Sequence, residues 1–304
     1  MNVELFVIIV TYKGMQWYKR CFTSLRDSTH PVKVVVVDNA SNDGTIDYIR
    51  ENYPEIHLIE SKENLGFGRA NNIGIRYALD HGCDYVFLLN QDAWVEPDTF
   101  EKLINIQLSK PEYGILSPIH LNAEKTRIEK GLINYLDDRR ITDKFLFEDL
   151  YFERLKEVYE TKYVNAAAWL LPKKTLEIVG GFDPVFTHYG EDDNYLHRVL
   201  FHKMKIGICP TCVAVHDTEQ RITSCDRMRQ TEESVLLAES TNINIPQSLF
   251  SICHYHFRKT ISKLLTLELS TAKRHWKSMW FLIRNAKAIK KSRETNVVPG
   301  MNWL

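Results

Sequence analysis

The stretch VVVVDNASNDGT, residues 34–45, decides the fold. It begins inside a β-branched run, Val32–Val37, that suits a strand covered on both faces. Asp38 stands at the carboxyl end of that run, Asn42-Asp43-Gly44 is a turn signal, and Ile46–Asn52 continues as a helix. An apolar strand that ends on an acid, turns sharply and enters a helix is one unit of a parallel α/β sheet.

The flanking segments repeat the unit. Upstream, Leu5–Thr11 is an apolar run fit for a central strand, and Trp17–Ser28 has helical spacing at Trp17, Cys21, Phe22 and Leu25. Downstream come a short strand at Ile56–Glu60, a helix over Ala70–His81 that stops near Gly82, a buried strand at Tyr85–Leu89, and a helix over Pro97–Gln107 with proline in its first turn. This alternation predicts a doubly wound, mostly parallel sheet, in which ligands bind beyond the carboxyl ends of the strands. Chemistry is therefore expected on the loops at 11–15, 38–44 and 90–94.

The second half reads differently. Residues 119–160 are mixed and charged, with Asp137-Asp138-Arg139-Arg140 in the middle, and are expected to form strands and loops over an acceptor side. Residues 163–172 read as a buried strand. A helix after Gly180-Gly181 aligns Tyr195, Leu196, Val199 and Leu200, and Ile206–Val215 reads as two short strands split by Pro210. From about Arg229 the pattern is helical. The expected organisation is a domain at 1–228, with a nucleotide-binding half at 1–110 and an acceptor-side half at 111–228, followed by a helical basic extension at 229–304.

Bulk properties bound the function. The 304 residues hold 39 Lys+Arg and 39 Asp+Glu, so the whole molecule has no electrostatic bias toward nucleic acid. The N-terminal apolar run carries Glu4 and lacks a basic leader, so it is expected to be a strand and not an export signal. Without about 20 consecutive apolar residues, no membrane-spanning helix is expected. Six scattered cysteines are too sparse for a disulfide scaffold, and free thiols in a reducing cytoplasm are expected. Cys209-Pro210-Thr211-Cys212 has no second pair nearby, and strand alternation accounts for both thiols.

Five groups of residues are candidates for chemistry. Asp38 can accept a hydrogen bond from a base imide or a ribose hydroxyl; the competing role is to close a turn. In Asn64-Leu65-Gly66-Phe67-Gly68-Arg69-Ala70-Asn71-Asn72, two glycines permit close backbone approach and Arg69 can meet a diphosphate, although the spacing is not that of a dinucleotide fingerprint. Asp92, in Asn90-Gln91-Asp92, leaves a buried strand as a carboxylate that needs a partner, and Mg²⁺ or Mn²⁺ bound to phosphates is a suitable one. The adjacent acids Glu191, Asp192 and Asp193 repel one another, which lifts at least one pKa toward general-base use; an acidic helix start is the alternative. His216 is a candidate metal ligand at a strand end.

Together VIIVTYKG, VVVDNASNDGT, NLGFGRANNIGI, LLNQDAWVEPD and GGFDPVFTHYGEDDNYLHRV, followed by the P-x-x-x-V-x-H stretch ending at His216, resemble the inverting glycosyltransferases of family two with the GT-A fold, in particular rhamnosyltransferase-like members. The segments occur in family order over residues 5–217. The resemblance implies transfer of a monosaccharide from a UDP- or dTDP-sugar to a hydroxyl of a glycan or lipid-linked saccharide, in bacterial cell-surface polysaccharide synthesis. It implies nucleotide contacts at Thr11, Tyr12, Asp38, Asn64, Gly66, Arg69, Asn71 and Gln91. It also implies Mg²⁺ or Mn²⁺ on Asp92 with help from His216, and a catalytic base at Asp192 within the Glu191-Asp192 pair. Two positions depart from the pattern: Asn90 stands where the first acid of the D-x-D motif is usual, and Asn194 replaces an acid after the Glu-Asp pair. Rival readings are a sugar nucleotidyltransferase, disfavoured by the loop TYKGMQW, and a non-catalytic nucleotide-sugar-binding protein of the same fold.

The segment 251–304 carries eleven Lys+Arg against two Asp+Glu, among apolar residues at helical spacing. Two readings stay open: a peripheral contact with the inner face of an anionic membrane, or a helical cap that packs on the catalytic domain or on a second copy in a homodimer.

Overall fold

The computed structural model describes residues 3–137, 143, 145–187, 189–218 and 225–304. Asp138, Arg139 and Arg140 of the charged run lie outside the described residues.

The first half follows the expected alternation: β1 Leu5–Thr11, α1 Met15–Arg26, β2 Val32–Asp38, α2 Thr45–Asn52, β3 His57–Glu60, α3 Gly66–Asp80, β4 Tyr85–Asn90, β5 Ala93–Val95 and α4 Thr99–Ser109. β6 Tyr113–Leu121, α5 Lys130–Asp137, α6 Leu146–Tyr151, β7 Tyr159–Thr161, β8 Ala168–Pro172, α7 Lys173–Val179, α8 Glu191–Phe201 and β9 Lys205–His216 follow. α9 Cys225–Thr241, α10 Leu249–Leu265 and α11 Leu269–Asn296 complete the chain.

The sheet order is β3-β2-β1-β4-β8-β6-β9-β5, with β7 on β9. From the pairings, β1, β2, β3, β4, β6 and β9 run one way and β5, β7 and β8 the other, so the sheet is mixed but mostly parallel. Alternation along β1 sends Leu5, Val7 and Ile9 to one face and Phe6 and Ile8 to the other. The same holds for β4, whose Phe87 and Leu89 join the first core and Val86 and Leu88 the second. Two covered faces are why these strands read as unbroken apolar runs. Helix α3 lies so close to β1 that a Cβ at Gly74 would run into Ile8.

Three expectations for the second half change. The 119–160 region contains α5 and α6 as well as strands. The strand expected at 163–172 begins at Ala168, because 163–165 are irregular backbone and 166–167 a turn before the pairing with β4 starts. β9 is one strand and not two: its pairing with β6 jumps from Pro118–Cys209 to Ile119–Val213, so Pro210-Thr211-Cys212 form a bulge that the strand runs through. Cys21, Cys83, Cys209, Cys212 and Cys253 are free thiols.

The C-terminal helices are tied into the sheet domain. Phe186, Leu237, Ala238, Leu282 and Ile289 form a third core cluster. Asp183 Oδ2 accepts from Ser292 Oγ at 2.6 Å and Asn296 Nδ2 at 2.9 Å, and Arg293 donates to the carbonyls of Ser240, Asn242 and Ile245. Among the described residues, no helix is long and apolar enough to cross a membrane.

Candidate active site

The parallel register aligns the ends of β1, β2 and β4: Thr11 lies beside Asp38, and Val10 beside Asn90. Asp38 is fully buried. Its Oδ1 accepts from Thr11 Oγ1 at 2.9 Å and its Oδ2 from the Ser41 amide at 2.8 Å, which fixes the carboxylate plane. Gln91 clips the loop after β1, accepting from the Tyr12 amide at 2.8 Å and donating to the Tyr12 carbonyl at 3.1 Å. Asn39 does the same for the loop before α3, with 3.1 Å bonds to the Gly66 carbonyl and from the Leu65 amide. Asn64 Oδ1 receives the Gly66 amide at 2.9 Å, and buried Asn71 donates to the Phe67 carbonyl at 3.0 Å.

Thr11, Tyr12, Asp38, Gln91, Asn64, Gly66 and Asn71 thus belong to the ends of β1, β2 and β4 and to the start of α3 with the loop before it, braced by side-chain amides. Arg69 stands apart: it is exposed and borders a separate hollow with Arg76, Pro184 and Trp303. Asn39 is not among the residues that sequence reasoning puts forward, although an amide directly after the strand-end acid is a natural loop clip.

A cleft of about 440 Å³ opens beside this edge, lined by Asn90, residues 163–167 in part, Glu191, Asp192, Asp193 and His216. The acids start α8, after Tyr189 at φ 65° and Gly190 at φ 84°. Two successive left-handed residues turn the chain sharply. A Cβ on Gly190 would also sit 2.9 Å from the Ser234 carbonyl oxygen.

Burial, more than repulsion, sets the charge of the pair. Glu191 is buried and its carboxyl is pushed up to about 8, first by desolvation and second by the charge of Asp192. Asp192 is half-buried and also raised, again by desolvation first. The Tyr163 hydroxyl opposes that rise by donating to Asp192 Oδ2 at 3.0 Å. Tyr163 has no signal in the sequence beyond opening an apolar stretch.

Antiparallel pairing of Ala93 with His216 brings the end of β9 beside the turn after β4. Asp92 Oδ1 then lies 3.5 Å from His216 Nε2, and Asn90 Nδ2 lies 3.4 Å from the same nitrogen. Both Asp92 and His216 are buried. One carboxylate and one imidazole at this spacing are a donor set that fits a divalent cation completed by phosphate oxygens.

The Gly180–Asp183 motif is an anchor. Asn72 of α3 accepts from the Phe182 amide at 2.7 Å and donates to the carbonyls of Phe182 at 2.8 Å and Trp303 at 3.1 Å. Buried Arg198 of α8 donates to the carbonyls of Val179 and Gly181. The acids of α8 are therefore held from α3, α7 and the C-terminal segment together.

Residues 6–166 match the family model described as glycosyl transferase family 2. The chain is 26% identical over 218 residues to dTDP-rhamnosyl transferase RfbF of Shigella flexneri, covering 71% of this chain and 70% of that protein. It is 33% identical over 128 residues to N-acetylglucosaminyl-diphospho-decaprenol L-rhamnosyltransferase of Mycobacterium tuberculosis, covering 39% and 42%. In fold it is similar to GalNAc-T7 crystallised with UDP, GalNAc and Mn2+, with a TM-score of 0.61, 15% identity, and coverage of 95% of this chain and 58% of that one.

Proposed function

Since this chain belongs to glycosyl transferase family 2, we propose that Asp192 is the base of its transfer reaction and that the loops at the ends of β1, β2 and β3 hold the donor nucleotide. As a glycosyltransferase of this family it moves a sugar from a nucleotide-diphosphate donor to an acceptor hydroxyl with inversion, in polysaccharide synthesis. The donor class that its relatives' names favour is a dTDP- or UDP-linked hexose, with dTDP-rhamnose first.

In this reading Asp38 and Thr11 meet the pyrimidine or ribose, with Tyr12, Asn64, Gly66 and Asn71 around them and Gln91 bracing Tyr12. The acceptor oxygen attacks the anomeric carbon as its proton passes to Asp192. The bond to the diphosphate oxygen breaks on the opposite face, and the nucleoside diphosphate leaves with the electron pair. A single in-line displacement of this kind inverts the configuration. Burial lifts Asp192 above an ordinary aspartate, which makes it a stronger base, and Tyr163 keeps it ionised. Glu191, with its carboxyl near 8, is largely protonated at neutral pH and leaves its neighbour as the base. Asp92 and His216 are the residues that would hold Mg²⁺ or Mn²⁺, whose chemistry when bound is charge stabilisation of the leaving diphosphate.

The observation that carries the reading is the lifted Asp192 on a cleft beside the braced nucleotide loops. Asp192→Asn is expected to lower turnover about 10²–10⁴-fold while UDP and dTDP affinity stay near wild type. Near-normal turnover of the variant would remove Asp192 from this role.

A lipid surface is the partner we assign to the C-terminal hairpin. At the turn between α10 and α11, Leu265 and Leu267 are each 82% exposed, and Leu264 and Leu269 stand beside them. Lys259, Lys263, Lys273, Arg274 and Lys277 flank this apolar tip. Exposed leucines with basic residues on both sequence flanks match an anionic bilayer, and one relative's name specifies a decaprenol-linked acceptor.

A further inference from the structure

His120 and Glu129 belong to no part of the transfer machinery, yet they meet His216 behind the cleft. One ligand atom from each of the three lies within 4.8 Å of the others. All three are buried: His120 at 0%, Glu129 at 4% and His216 at 3% exposure. We propose that His120, Glu129 and His216 form a binding site for one divalent transition-metal ion, with Zn²⁺ or Mn²⁺ as the matching class, which shares His216 with the Asp92 position.

The backbone builds this site without help from any ligand. His120 lies next to Ala214 in the parallel β6–β9 pairing, which sets it two residues from His216 in register. The chain reverses after β6, with Leu121 bridged to Ile128, and the Glu129 amide donates to the His120 carbonyl at 2.8 Å. Glu129 is thereby returned beside His120.

Neighbouring groups hold two of these side chains in place. His120 Nε2 is 3.1 Å from Ser117 Oγ, while its buried Nδ1 has no hydrogen-bond partner among the described residues. A buried imidazole nitrogen left in this way costs stability unless something binds it. Glu129 is steered by the Leu132 amide at 2.8 Å and the Thr218 hydroxyl at 3.0 Å. Among the described residues no Lys or Arg pairs with it. A buried carboxylate without a cation is expensive. Neutral imidazole is the form that binds metal.

Two imidazoles and a carboxylate favour borderline divalent ions over Mg²⁺, which prefers oxygen ligands. His216 also lines the cleft.

The test uses the full chain after chelator treatment and gel filtration, with no donor or acceptor present, so its outcome does not depend on the transfer reading. Calorimetric titration with Zn²⁺ and with Mn²⁺ is expected to give one ion per chain for at least one of them. His120→Ala and Glu129→Gln are expected to weaken it roughly tenfold or more. X-ray absorption of the zinc-loaded wild-type chain, which needs no variant to fold, should show two imidazoles at about 2.0 Å. Absence of binding, wild-type affinity in the His120 and Glu129 variants, or fewer than two imidazoles would each overturn the site.

Discussion

The hydroxyl of Tyr163 donates to Asp192 Oδ2 across 3.0 Å, joining a loop before β8 to the first turn of α8. The bond favours the ionised carboxylate and works against the desolvation that raises it. Tyr163→Phe therefore leaves Asp192 with a higher pKa. A hydrogen bond to a charged group contributes about 1.5–3 kcal/mol, so the acidic limb of the kcat/KM profile should move up by about one pH unit or more. The plateau at high pH should change less than the rate at pH 6. A profile that keeps its acidic limb in place would detach Tyr163 from the base.

Glu191 predicts a pH-dependent stability. Its folded pKa, about 8, lies above the value of 4.5 for a free glutamate. Below the lower value both states are protonated and nothing is lost. As pH rises through that window the unfolded chain ionises first, and the fold loses stability until the folded pKa is passed. Glu191→Gln carries no charge, so the variant should equal or trail wild type at pH 4.5 and exceed it by about 2–4 kcal/mol at pH 9. Calorimetric melts across that range read the difference; a gap that does not vary with pH would show that ionisation of Glu191 is not its source.

Asn72 makes three backbone hydrogen bonds at once. Asn72→Ala leaves the Phe182 amide and two carbonyls without it, at a cost of about 2–4 kcal/mol. Turnover should fall along with the melting temperature, since the segment from Phe182 leads into the acids of α8. Turnover that is unchanged in a destabilised protein would show that the cleft does not depend on this anchor.

Leu265→Ser combined with Leu267→Ser removes the apolar hairpin tip. Both positions are open to solvent, so unfolding free energy should move by less than about 0.5 kcal/mol. Co-flotation with vesicles rich in phosphatidylglycerol should drop roughly tenfold or more. Unchanged flotation would clear the tip of a membrane role, and a wild-type dimer that the double variant splits would assign it to a second copy.

Strong periodicity makes the central strands legible in the sequence alone. Leu5–Thr11, Val32–Val37 and Tyr85–Leu89 appear as strands within one residue of their expected bounds, because burial on both faces leaves an unmistakable apolar run. Gly190 and the acids after it can be located by motif alone. Tyr163, Asn39 and His120 cannot, since their roles arise from distant partners: Tyr163 meets Asp192 29 positions away, and Asn39 meets Gly66 27 positions away. The adjacency of the acids predicts a raised pKa, but its main cause is desolvation, which depends on how the cleft walls close around the pair. The unity of β9 is hidden because a bulge at Pro210 looks, in one dimension, like a strand break.

The bond from Asn72 to Trp303 spans 231 positions. A ribosome adding 5–20 residues per second takes roughly ten to fifty seconds to cover that interval. During that time α3 exists without the Trp303 partner of its Asn72 amide, and α11, which carries Ser292 and Asn296 to Asp183, has not been completed. The first α/β units thus precede the completed anchor of the acidic turn. The enzyme should acquire activity only once Trp303 has been added, and not gradually before it.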